Sequence, residues 1–565
     1  MKKLPLGIYT FNKIINGGFL YIDKTKFIYD LIQNTSPILL TRPKKFGKTL
    51  LISTIKKFFL GQRAYFKGLW VDGQQHDWQS HPVIHLDLAR INPNGLDNLR
   101  QSLMTSLSKL VRAANLQVRG DAPAAVLSSF IGDLARTRRQ KVVVLVDGYE
   151  IPIVGNLARP ELLARVWEEM VGLYAVLGET REHLRFSLLA GVSRFDRQAL
   201  FPGLPDLRDI TFDPRFSALC GLSVAEFDEH FRPYMESVLA FLEDENLLVR
   251  NPSLDELRQD LLDWYGGYSW DGRTRVINPF FLLHFFRAKE FNNFWHTAKA
   301  PAKIVTLVRK HDLAFHLFDR DLSMAPEGNA VNIDDMLPIP VLFQNGFLTV
   351  AKAARQAGGT RYSLAIPNFA SRWLLFVYLM AKRFNLRPGH LWTEIDQLLR
   401  ALRNRNAQVT SLAFKRLLTS FHHHMEPPFS EHYRQVFLYT MSILGQPLWV
   451  DDPEGQGVVN GLFKAPDSVL FVMQMVYRKP EAGLPRDDGQ EGQDDAGYHA
   501  DDEWLRPSGE ILAHEERLSG EARACLARLD KFGYARTLLK KGLKVVKAAM
   551  VVQSNSVVKV LFEDA

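Results

Sequence analysis

Four short apolar runs, separated by segments with helical spacing, constrain the fold of this chain more than any other feature of its sequence. The runs cover residues 38–40, 82–86, 142–146 and 186–192. Asp87 and Asp147 directly follow the second and third runs, as is typical of buried parallel strands whose carboxyl ends face a binding site. Because helical patterns at 99–114 and 162–177 lie between the runs, the sequence predicts a parallel sheet covered by helices in an α/β fold.

Composition excludes several classes of protein. The chain of 565 residues is too long for one small domain, and its 46% hydrophobic and 23% charged residues exclude a wholly disordered or fibrous protein. No apolar run reaches the roughly 20 residues of a membrane-spanning helix, and two cysteines are too few for a disulfide framework. We therefore expect a cytoplasmic protein, either of the cell that makes it or of one that receives it. The net charge of +8 mildly favours a polyanionic partner, and a surplus of solvated lysines and arginines explains it equally well.

The segment after the first run has the last three positions of a phosphate-binding loop. Such a P-loop needs inward-facing backbone N–H groups, a lysine for the β- and γ-phosphate oxygens and a hydroxyl for magnesium, all at a helix N-terminus. Gly47, Lys48 and Thr49 supply these positions, whereas Arg42 stands where the pattern G-x-x-x-x-G-K-[ST] has its first glycine. Asp147 would hold the magnesium water shell from the end of its strand, although a helix cap is the alternative role for it.

Together these positions define a candidate site for ATP and Mg²⁺. Its candidate nucleotide-binding residues are Arg42, Lys44, Lys45, Phe46, Gly47, Lys48, Thr49, Asp147, Ser193 and Arg194, with Thr49 and Asp147 as the metal ligands. Arg194 follows the fourth run and is either a γ-phosphate contact or one half of a surface salt bridge. Hydrolysis also needs a carboxylate that orients water. Because Gly148 directly follows Asp147, Glu150 is the nearest candidate for that catalytic role.

The sequence changes character twice after residue 215. The pattern over 216–390 is mainly helical, which predicts a lid or linker domain. Residues 391–565 begin with helices and then give apolar runs at 458–463 and 469–476, which predict paired strands. Residues 479–519 are rich in Asp, Glu, Gly and Pro and predict a mobile acidic insertion. The sequence thus predicts three domains, 1–215, 216–390 and 391–565.

Seven short segments occur in one order along much of the chain. They are Leu-Gly-Ile-Tyr-Thr-Phe at 6–11, Tyr-Ile-Asp-Lys-Thr at 21–25, Thr-Arg-Pro-Lys-Lys-Phe-Gly-Lys-Thr at 41–49, Gly-Val-Ser-Arg-Phe at 191–195, Asp-Ile-Thr at 209–211, Leu-Cys-Gly at 219–221 and Trp-Tyr-Gly-Gly-Tyr at 264–268. In these segments the chain resembles the bacterial AAA-ATPase-like family that carries a C-terminal nuclease domain of the PD-(D/E)XK superfamily. The resemblance implies an AAA-like P-loop domain with a parallel sheet, a helical middle region and a C-terminal restriction-endonuclease-like α/β domain. It also explains Arg42, since this family has arginine where other P-loops have glycine.

Two departures from the family pattern bear on ATP turnover. The family's Asp-Glu-Tyr-Asp-Lys-Pro reads Asp-Gly-Tyr-Glu-Ile-Pro at 147–152, so Gly148 replaces the glutamate expected to polarise water. The family's Thr-Gly-Val-Ser reads Ala-Gly-Val-Ser at 190–193, and Ala190 removes a hydroxyl that would sense the γ-phosphate. Losing such groups lowers turnover far more than ground-state phosphate binding. We therefore expect ATP binding with slow or absent hydrolysis.

The C-terminal region departs from the family in the residues that would cut nucleic acid. Nucleases of this superfamily have an aspartate on one strand, then an acidic residue and a lysine two positions apart on the next. The gap-free alignment gives Asn460 for the aspartate, Met473 for the acidic residue and Met475 for the lysine. A register one residue later gives Gln474 and Val476 instead. Because Mg²⁺ prefers oxygen ligands, both alignments predict a degenerate, inactive nuclease, or pseudonuclease.

Three functions remain open from the sequence. In the first, ATP is a ligand that sets conformation, any ATPase activity is weak, and the pseudonuclease binds nucleic acid or another protein. The second is an active ATPase or nuclease of a mobile-element or defence type, with carboxylates such as Asp451, Asp452 or Glu454 in the metal site. The third is a non-enzymatic scaffold or translocated effector. None of the three involves a membrane, and an oligomer is compatible with each.

Overall fold

The computed structural model of the chain describes residues 1–244, 252–294, 322–325, 337–356, 359–383, 386–422, 440, 446–451, 458–464, 470–478, 509–531, 545–553 and 557–564. By its internal contacts the chain divides into two compact units. Unit 1 comprises Met1–Phe241, Tyr265–Leu307 and His316–Asn368, and unit 2 comprises Leu242–Trp264, Val308–Phe315 and Phe369–Ala565.

A five-stranded parallel sheet forms the centre of unit 1. Its strands are β1 (Ile38–Thr41), β2 (Val83–Asp87), β3 (Val142–Asp147), β4 (Leu184–Gly191) and β5 (Arg208–Asp209). They lie in the order β2-β3-β4-β1-β5, and every neighbouring pair is parallel. Since parallel strands end at the same edge of a sheet, the residues that follow β1, β3 and β4 meet there.

Eleven helices are described in the first 288 residues. They are α1 (Phe11–Asn16), α2 (Thr25–Ile32), α3 (Lys48–Phe59), α4 (Leu96–Ala113), α5 (Pro123–Arg138), α6 (Ile151–Val154), α7 (Pro160–Glu179), α8 (Arg197–Leu200), α9 (Val224–Asp244), α10 (Leu254–Tyr265) and α11 (Pro279–Ala288). Helices α4, α5 and α7 contribute Leu103, Leu127 and Leu173 to the buried cluster that also contains Val144 of β3. Their apolar faces therefore cover the sheet, as the helical spacing predicts.

Burial follows each strand's position in the sheet. Every residue of β1 and β3 is buried, because neighbouring strands and helices cover these strands on all sides. Strand β2 lies at the edge, and its residues alternate between buried and partly exposed. The continuous apolar runs at 38–40 and 142–146 are thus the signature of interior parallel strands.

Two small antiparallel sheets accompany this core in unit 1. Strand β6 (Leu222–Ser223) pairs with β7 (Val276–Ile277). Strand β10 (Gly359–Ala365) lies between β8 (Ser323–Met324) and β9 (Thr349–Gln356), and a helix covers Pro338–Gln344. The middle of the chain, predicted as mainly helical, therefore also contains strands.

Unit 2 is built around a mixed five-stranded sheet. Its described helices are α10, apart from its last residue, and Phe369–Arg383, Pro388–Arg403, Ala407–His422 and Gly509–Lys531. Its strands are β11 (Gln446–Asp451), β12 (Val458–Lys464), β13 (Leu470–Arg478), β14 (Val545–Gln553) and β15 (Val557–Asp564). The strands lie in chain order, with β13 and β14 parallel and the other neighbours antiparallel. The helix Gly509–Lys531 lies in the chain between β13 and β14 and provides the long crossover that a parallel pair needs.

The four strands predicted for the first 192 residues are confirmed, as are the paired strands at 458–463 and 469–476. Strand β5 is an addition, since its two polar residues carry no apolar pattern. The predicted acidic insertion is corrected in its last part, because the helix Gly509–Lys531 begins within it and buries Leu518 against β14. Residues 479–508 lie outside the described residues, and the three-domain division remains a prediction.

Candidate functional site

The loop between β1 and α3 turns through two residues with left-handed backbone conformation. Lys45 has a φ of 71° and Gly47 a φ of 93°, and Gly47 caps α3, which begins at Lys48. The first N–H groups of a helix have no carbonyl partner within it and carry partial positive charge. No atom lies within 4 Å of the position that a Cβ would take on Gly47. The loop is therefore open on this side, and its backbone can closely approach an anion.

Lys48 folds back over this loop. Its Nζ donates hydrogen bonds to the carbonyl oxygens of Arg42 at 2.8 Å and Pro43 at 2.9 Å. Burial lowers the pKa of Lys48, and the negative charge of Glu150 is the largest effect that opposes this shift, with Asp147 adding to it. The ammonium group is thus held by carbonyl dipoles and nearby carboxylates, and phosphate oxygens are acceptors that could replace the two carbonyls.

Thr49 and Asp147 meet across the loop. The Thr49 hydroxyl lies close enough to the Asp147 carboxylate to lower its pKa, and only 7% of Asp147 is exposed. Burial is the largest effect and raises the pKa of Asp147, the charge of Lys48 lowers it together with Thr49, and nearby Asp87 raises it. Asp87 lies directly beside Asp147 because β2 and β3 pair these two residues in register. A hydroxyl and a carboxylate, both oxygen ligands of the kind that Mg²⁺ takes, therefore lie together next to the P-loop lysine.

The structure does not bring the Arg42 side chain to the open side of the loop. Its guanidinium is 1% exposed and donates to the carbonyl oxygens of Thr41 at 2.8 Å, Thr211 at 2.9 Å and Phe216 at 3.1 Å. It also lies 4.1 Å from the ring centroid of Trp270. Arg42 therefore ties the loop to the chain after β5, and this buried role differs from the predicted contact with nucleotide.

Of the other loop residues, Phe46 packs in the core, whereas Lys44 and Lys45 are on the surface. Phe46 is buried with its ring edge-on to Trp270, and its carbonyl accepts from the Gly221 N–H at 3.0 Å. Lys44 and Lys45 are exposed. The Lys45 Nζ lies 4.5 Å from the ring centroid of Phe280, in reach of a cation–π contact. Phe46 thus anchors the loop, while the two lysines add positive charge at its rim.

Glu150 lies inside the site and is 5% exposed. A Cβ on Gly191, the last residue of β4, would come within 2.1 Å of the Glu150 Oε2. The carboxylate is therefore enclosed between the end of β4 and the neighbourhood of Lys48. The Tyr149 ring would lie 2.6 Å from the same Cβ, so glycine at position 191 leaves room for both side chains. A glycine within an apolar strand indicates such a close approach.

Ser193 and Arg194 are held in local contacts beyond β4. The Ser193 carbonyl accepts from the Tyr149 hydroxyl at 2.5 Å. The Arg194 Nε donates to Asp209 of β5 at 2.5 Å, and both side chains are largely buried. Arg194 therefore forms a salt bridge, one of the two roles expected for it, although this pair is buried rather than on the surface.

A cavity of about 380 Å³ opens beside the loop. Several further segments line it together with the loop and the start of α3, and their residues include Leu6, Ile8, Tyr9, Tyr21, Ile22, Leu219, Cys220, Leu222, Phe231, Pro279, Phe280 and His284. Its wall is mainly apolar and aromatic, which suits a flat heterocyclic ring. Sequence reasoning did not assign these residues to a site, although the segments at 6–11 and 219–221 had been noted for their resemblance to the family.

The residues aligned with the nuclease motif lie on adjacent antiparallel strands. Asn460 of β12 pairs directly with Gln474 of β13, while Met473 and Met475 pair with Gly461 and Val459. Among the described residues, no group of three or more His, Cys, Asp or Glu side chains is placed to hold a metal ion. Within the same part of the chain, no helix is both long and apolar enough to cross a membrane.

Comparison with known proteins gives one family and one close relative. A model of the family described as predicted AAA-ATPase, AAA-ATPase-like, matches residues 5–201. The chain is 31% identical over 471 residues to a protein of Azotobacter chroococcum mcd 1, described as an uncharacterized protein in the vnfD 5′ region. That match covers 81% of this chain and 86% of the relative.

Solved structures give only distant likenesses. The replication initiator DnaA bound to AMPPCP and single-stranded DNA matches 72% of this chain and 97% of its own chain, at 11% identity and a TM-score of 0.22. A structure of Drosophila ORC bound to poly(dA/dT) DNA and Cdc6 matches 77% of this chain and 62% of its own, at 12% identity and the same TM-score. Likeness at this level says nothing about the ligands of the present chain.

Proposed function

Because the chain belongs to the predicted AAA-ATPase family, we propose that its N-terminal region, residues 1–215, binds ATP with Mg²⁺ as a ligand that sets conformation. The observation that carries this proposal is the arrangement around Lys48. Its ammonium group donates to the loop carbonyls at the N-terminus of α3, and Thr49 and Asp147 lie near each other beside it. A triphosphate needs this combination of cation, open backbone N–H groups and oxygen ligands.

Each part of the site has a task in this proposal. The backbone of residues 44–49 cradles the phosphates, and Lys48 moves from the loop carbonyls to the β- and γ-phosphate oxygens. The base enters the apolar cavity, where Tyr9 and Phe280 provide aromatic surface. Lys44 and Lys45 add positive charge at the rim of the loop.

The residues present fit a magnesium ion. The Thr49 hydroxyl lies close enough to Asp147 to lower the pKa of its carboxyl group, and Mg²⁺ takes such oxygen ligands together with waters and phosphate oxygens. When bound, the ion would neutralise charge on the phosphates. Thr49 and Asp147 would hold it.

We propose slow hydrolysis at this site, since the family's glutamate and threonine are replaced by Gly148 and Ala190. Glu150 is the catalytic candidate that the same chain segment offers. Its carboxylate is enclosed between β4 and Lys48, where it balances the lysine's charge. Binding without fast turnover makes ATP a ligand whose presence or absence selects a conformation.

Calorimetric titration of ATP, with and without Mg²⁺, tests the binding proposal, and thermal unfolding provides a second readout. A ligand at 100 times its Kd stabilises the folded state by about 2.7 kcal/mol. We expect Lys48→Ala to abolish this stabilisation and the calorimetric signal. Lys109→Ala, on an exposed position of α4, is the matched control and should behave as the wild type. If ATP gives no heat of binding with the wild-type protein and does not raise its unfolding temperature, the scaffold or effector function is supported instead.

For the C-terminal region we propose a degenerate PD-(D/E)XK nuclease fold that binds nucleic acid or a protein and does not cut. The pairing of β12 with β13 supports this, because the motif positions lie on adjacent antiparallel strands as the superfamily motif requires. Cross-strand partners share a face of the sheet, so this pairing favours the alignment of Asn460 with Gln474. Neither alignment places a carboxylate at the aspartate or glutamate position.

Incubation of the protein with DNA and RNA in Mg²⁺ or Mn²⁺ tests this second proposal. We expect no cleavage. If the surplus of positive charge is responsible for nucleic-acid binding, the affinity should fall steeply as the salt concentration rises. Asp451 is the sharpest test position for the rival nuclease function, because β11 pairs it directly with Asn460. Cleavage that Asp451→Asn abolishes would show an active nuclease.

A further inference from the structure

Asp87, at the end of β2, has a carboxylate beside the ATP site that the roles above do not use. Strands β2 and β3 are parallel and place Asp87 directly beside Asp147. Its Oδ1 accepts from the Ala89 N–H at 3.2 Å, within the turn of 3-10 helix that covers Leu88–Arg90. Its charge is close enough to Asp147 to raise the pKa of that residue. Backbone geometry therefore fixes a second carboxylate at the sheet edge where the phosphates would lie.

The same turn lies next to the position of the missing glutamate. A Cβ on Gly148 would lie 3.6 Å from the Ala89 backbone nitrogen, the atom that donates to Asp87. The family's glutamate side chain would extend from that Cβ. The Asp87 carboxylate thus lies beside the point where the lost side chain would begin, although it belongs to a different strand.

Asp87 is also more accessible than Glu150. Its side chain is 27% exposed and forms an ion pair at 2.8 Å with Arg90, whose own side chain is 87% exposed. Such exposed pairs contribute little to stability, so the carboxylate can exchange Arg90 for water at small cost. Glu150 is 5% exposed, and the atoms around it leave less room for a water molecule.

We propose that Asp87 orients the attacking water in the slow ATP hydrolysis of this protein and so replaces, from the next strand, the carboxylate lost at Gly148. The inference rests on the proposed ATP-binding function. The water oxygen forms a bond to the γ-phosphorus, and the bond from that phosphorus to the β,γ-bridging oxygen breaks with its electron pair on ADP. One water proton passes to the Asp87 carboxylate and from there to solvent.

Two variants and a control test the proposal on the full chain. Asp87→Asn keeps the shape and removes the basic oxygen, while Arg90→Ala removes the ion pair and keeps the carboxylate. Asp133→Asn is the matched control, because Asp133 forms the same i,i+3 pair with Arg136 at a similar exposure of 29% and is not part of the ATP site. ATP turnover and the calorimetric Kd for ATP are measured for each, with and without Mg²⁺.

We expect Asp87→Asn to lower turnover by about 10²-fold, the usual contribution of a positioned base, while the Kd changes less than about twofold. Arg90→Ala and Asp133→Asn should keep wild-type turnover. The role of Asp87 is overturned if Asp87→Asn turns over ATP as fast as the wild type, or if Arg90→Ala loses as much turnover as Asp87→Asn. It is also overturned if the wild type binds ATP but does not hydrolyse it. Absence of ATP binding in the wild type would instead overturn the proposed function itself.

Discussion

Replacement of Arg42 by glycine is the sharpest test of how this loop is built. The change completes the pattern G-x-x-x-x-G-K-[ST], so motif reasoning alone expects better phosphate binding. The structure predicts a less stable loop and no gain in phosphate binding, because the guanidinium donates hydrogen bonds to the carbonyls of Thr41, Thr211 and Phe216. Arg42→Gly leaves these carbonyls without that donor.

The size of the effect follows from these contacts. A buried carbonyl that loses its partner costs about 1–3 kcal/mol, and the contact with Trp270 at 4.1 Å adds about 1–2 kcal/mol when desolvated. Burial of the cation offsets part of this loss, since it lowers the pKa of Arg42 to about 10. The net destabilisation is about 3–5 kcal/mol, because three buried carbonyls lose a donor while the cost of burying the cation is recovered.

Thermal and urea unfolding measure this loss. At 2–4 °C per kcal/mol for a domain of this size, we expect Arg42→Gly to lower the Tm by about 10 °C. Arg139→Gly is the control for the same substitution, because Arg139 is exposed and already has a φ of 50° at the end of α5. Glycine suits that position, and its stability should change by less than about 1 kcal/mol.

The argument is refuted if Arg42→Gly unfolds at the wild-type temperature and binds ATP more tightly. That result would mean that the three carbonyls find other partners and that Arg42 blocks the phosphate site. A lower Tm with unchanged or weaker ATP affinity is the expected result, because the loop would lose its support while Lys48 and Thr49 remain.

Two further predictions concern packing and pH. Gly191→Ala should destabilise the protein by about 1–3 kcal/mol through overpacking, since its Cβ would lie 2.1 Å from the Glu150 Oε2 and 2.6 Å from the buried Tyr149 ring; an unchanged urea midpoint would mean that these two side chains do not pack against Gly191. Burial lowers the pKa of His85 below its usual value, so the unfolded chain takes up the proton first and stability is lost as pH falls through about 6.5. His85→Gln should therefore lose less stability than wild type between pH 7.5 and 5.5, and equal losses by urea unfolding would contradict this.

The parallel sheet and the core of the proposed ATP site were predictable because both depend on short-range patterns. Continuous apolar runs mark interior strands, and parallel strands end at one edge, so the segment at 47–49 and Asp147 had to meet if the runs paired. The same rule predicts that Asp87 lies at this edge, whereas the register that sets it beside Asp147 is known only from the structure. These predictions needed no knowledge of distant contacts.

The directions of Arg42 and Arg194 were not predictable in the same way. The acceptors of Arg42 include carbonyls 169 and 174 positions away in the sequence. Arg194 is paired with Asp209 on β5, a strand of two polar residues without an apolar signal. The cavity wall likewise comes from several segments that are far apart in the sequence. Each of these features depends on long-range contacts, for which a single sequence carries no local mark.

The backbone at Gly148 has a conformation that disfavours the family's glutamate at this position. Its φ is 75°, a conformation that costs other residues about 1–2 kcal/mol, and an added Cβ would lie 2.5 Å from the Ile151 Cδ1. Gly148→Glu should therefore destabilise the protein and not by itself give fast ATP turnover. In the Asp87→Asn background the same substitution should raise turnover, because the introduced carboxylate would then serve in place of the one removed. Turnover rates measured in the two backgrounds test this expectation. Fast turnover in the Gly148→Glu single variant would mean that Gly148 alone limits hydrolysis. If the double variant is no faster than Asp87→Asn, the two positions do not serve the same function.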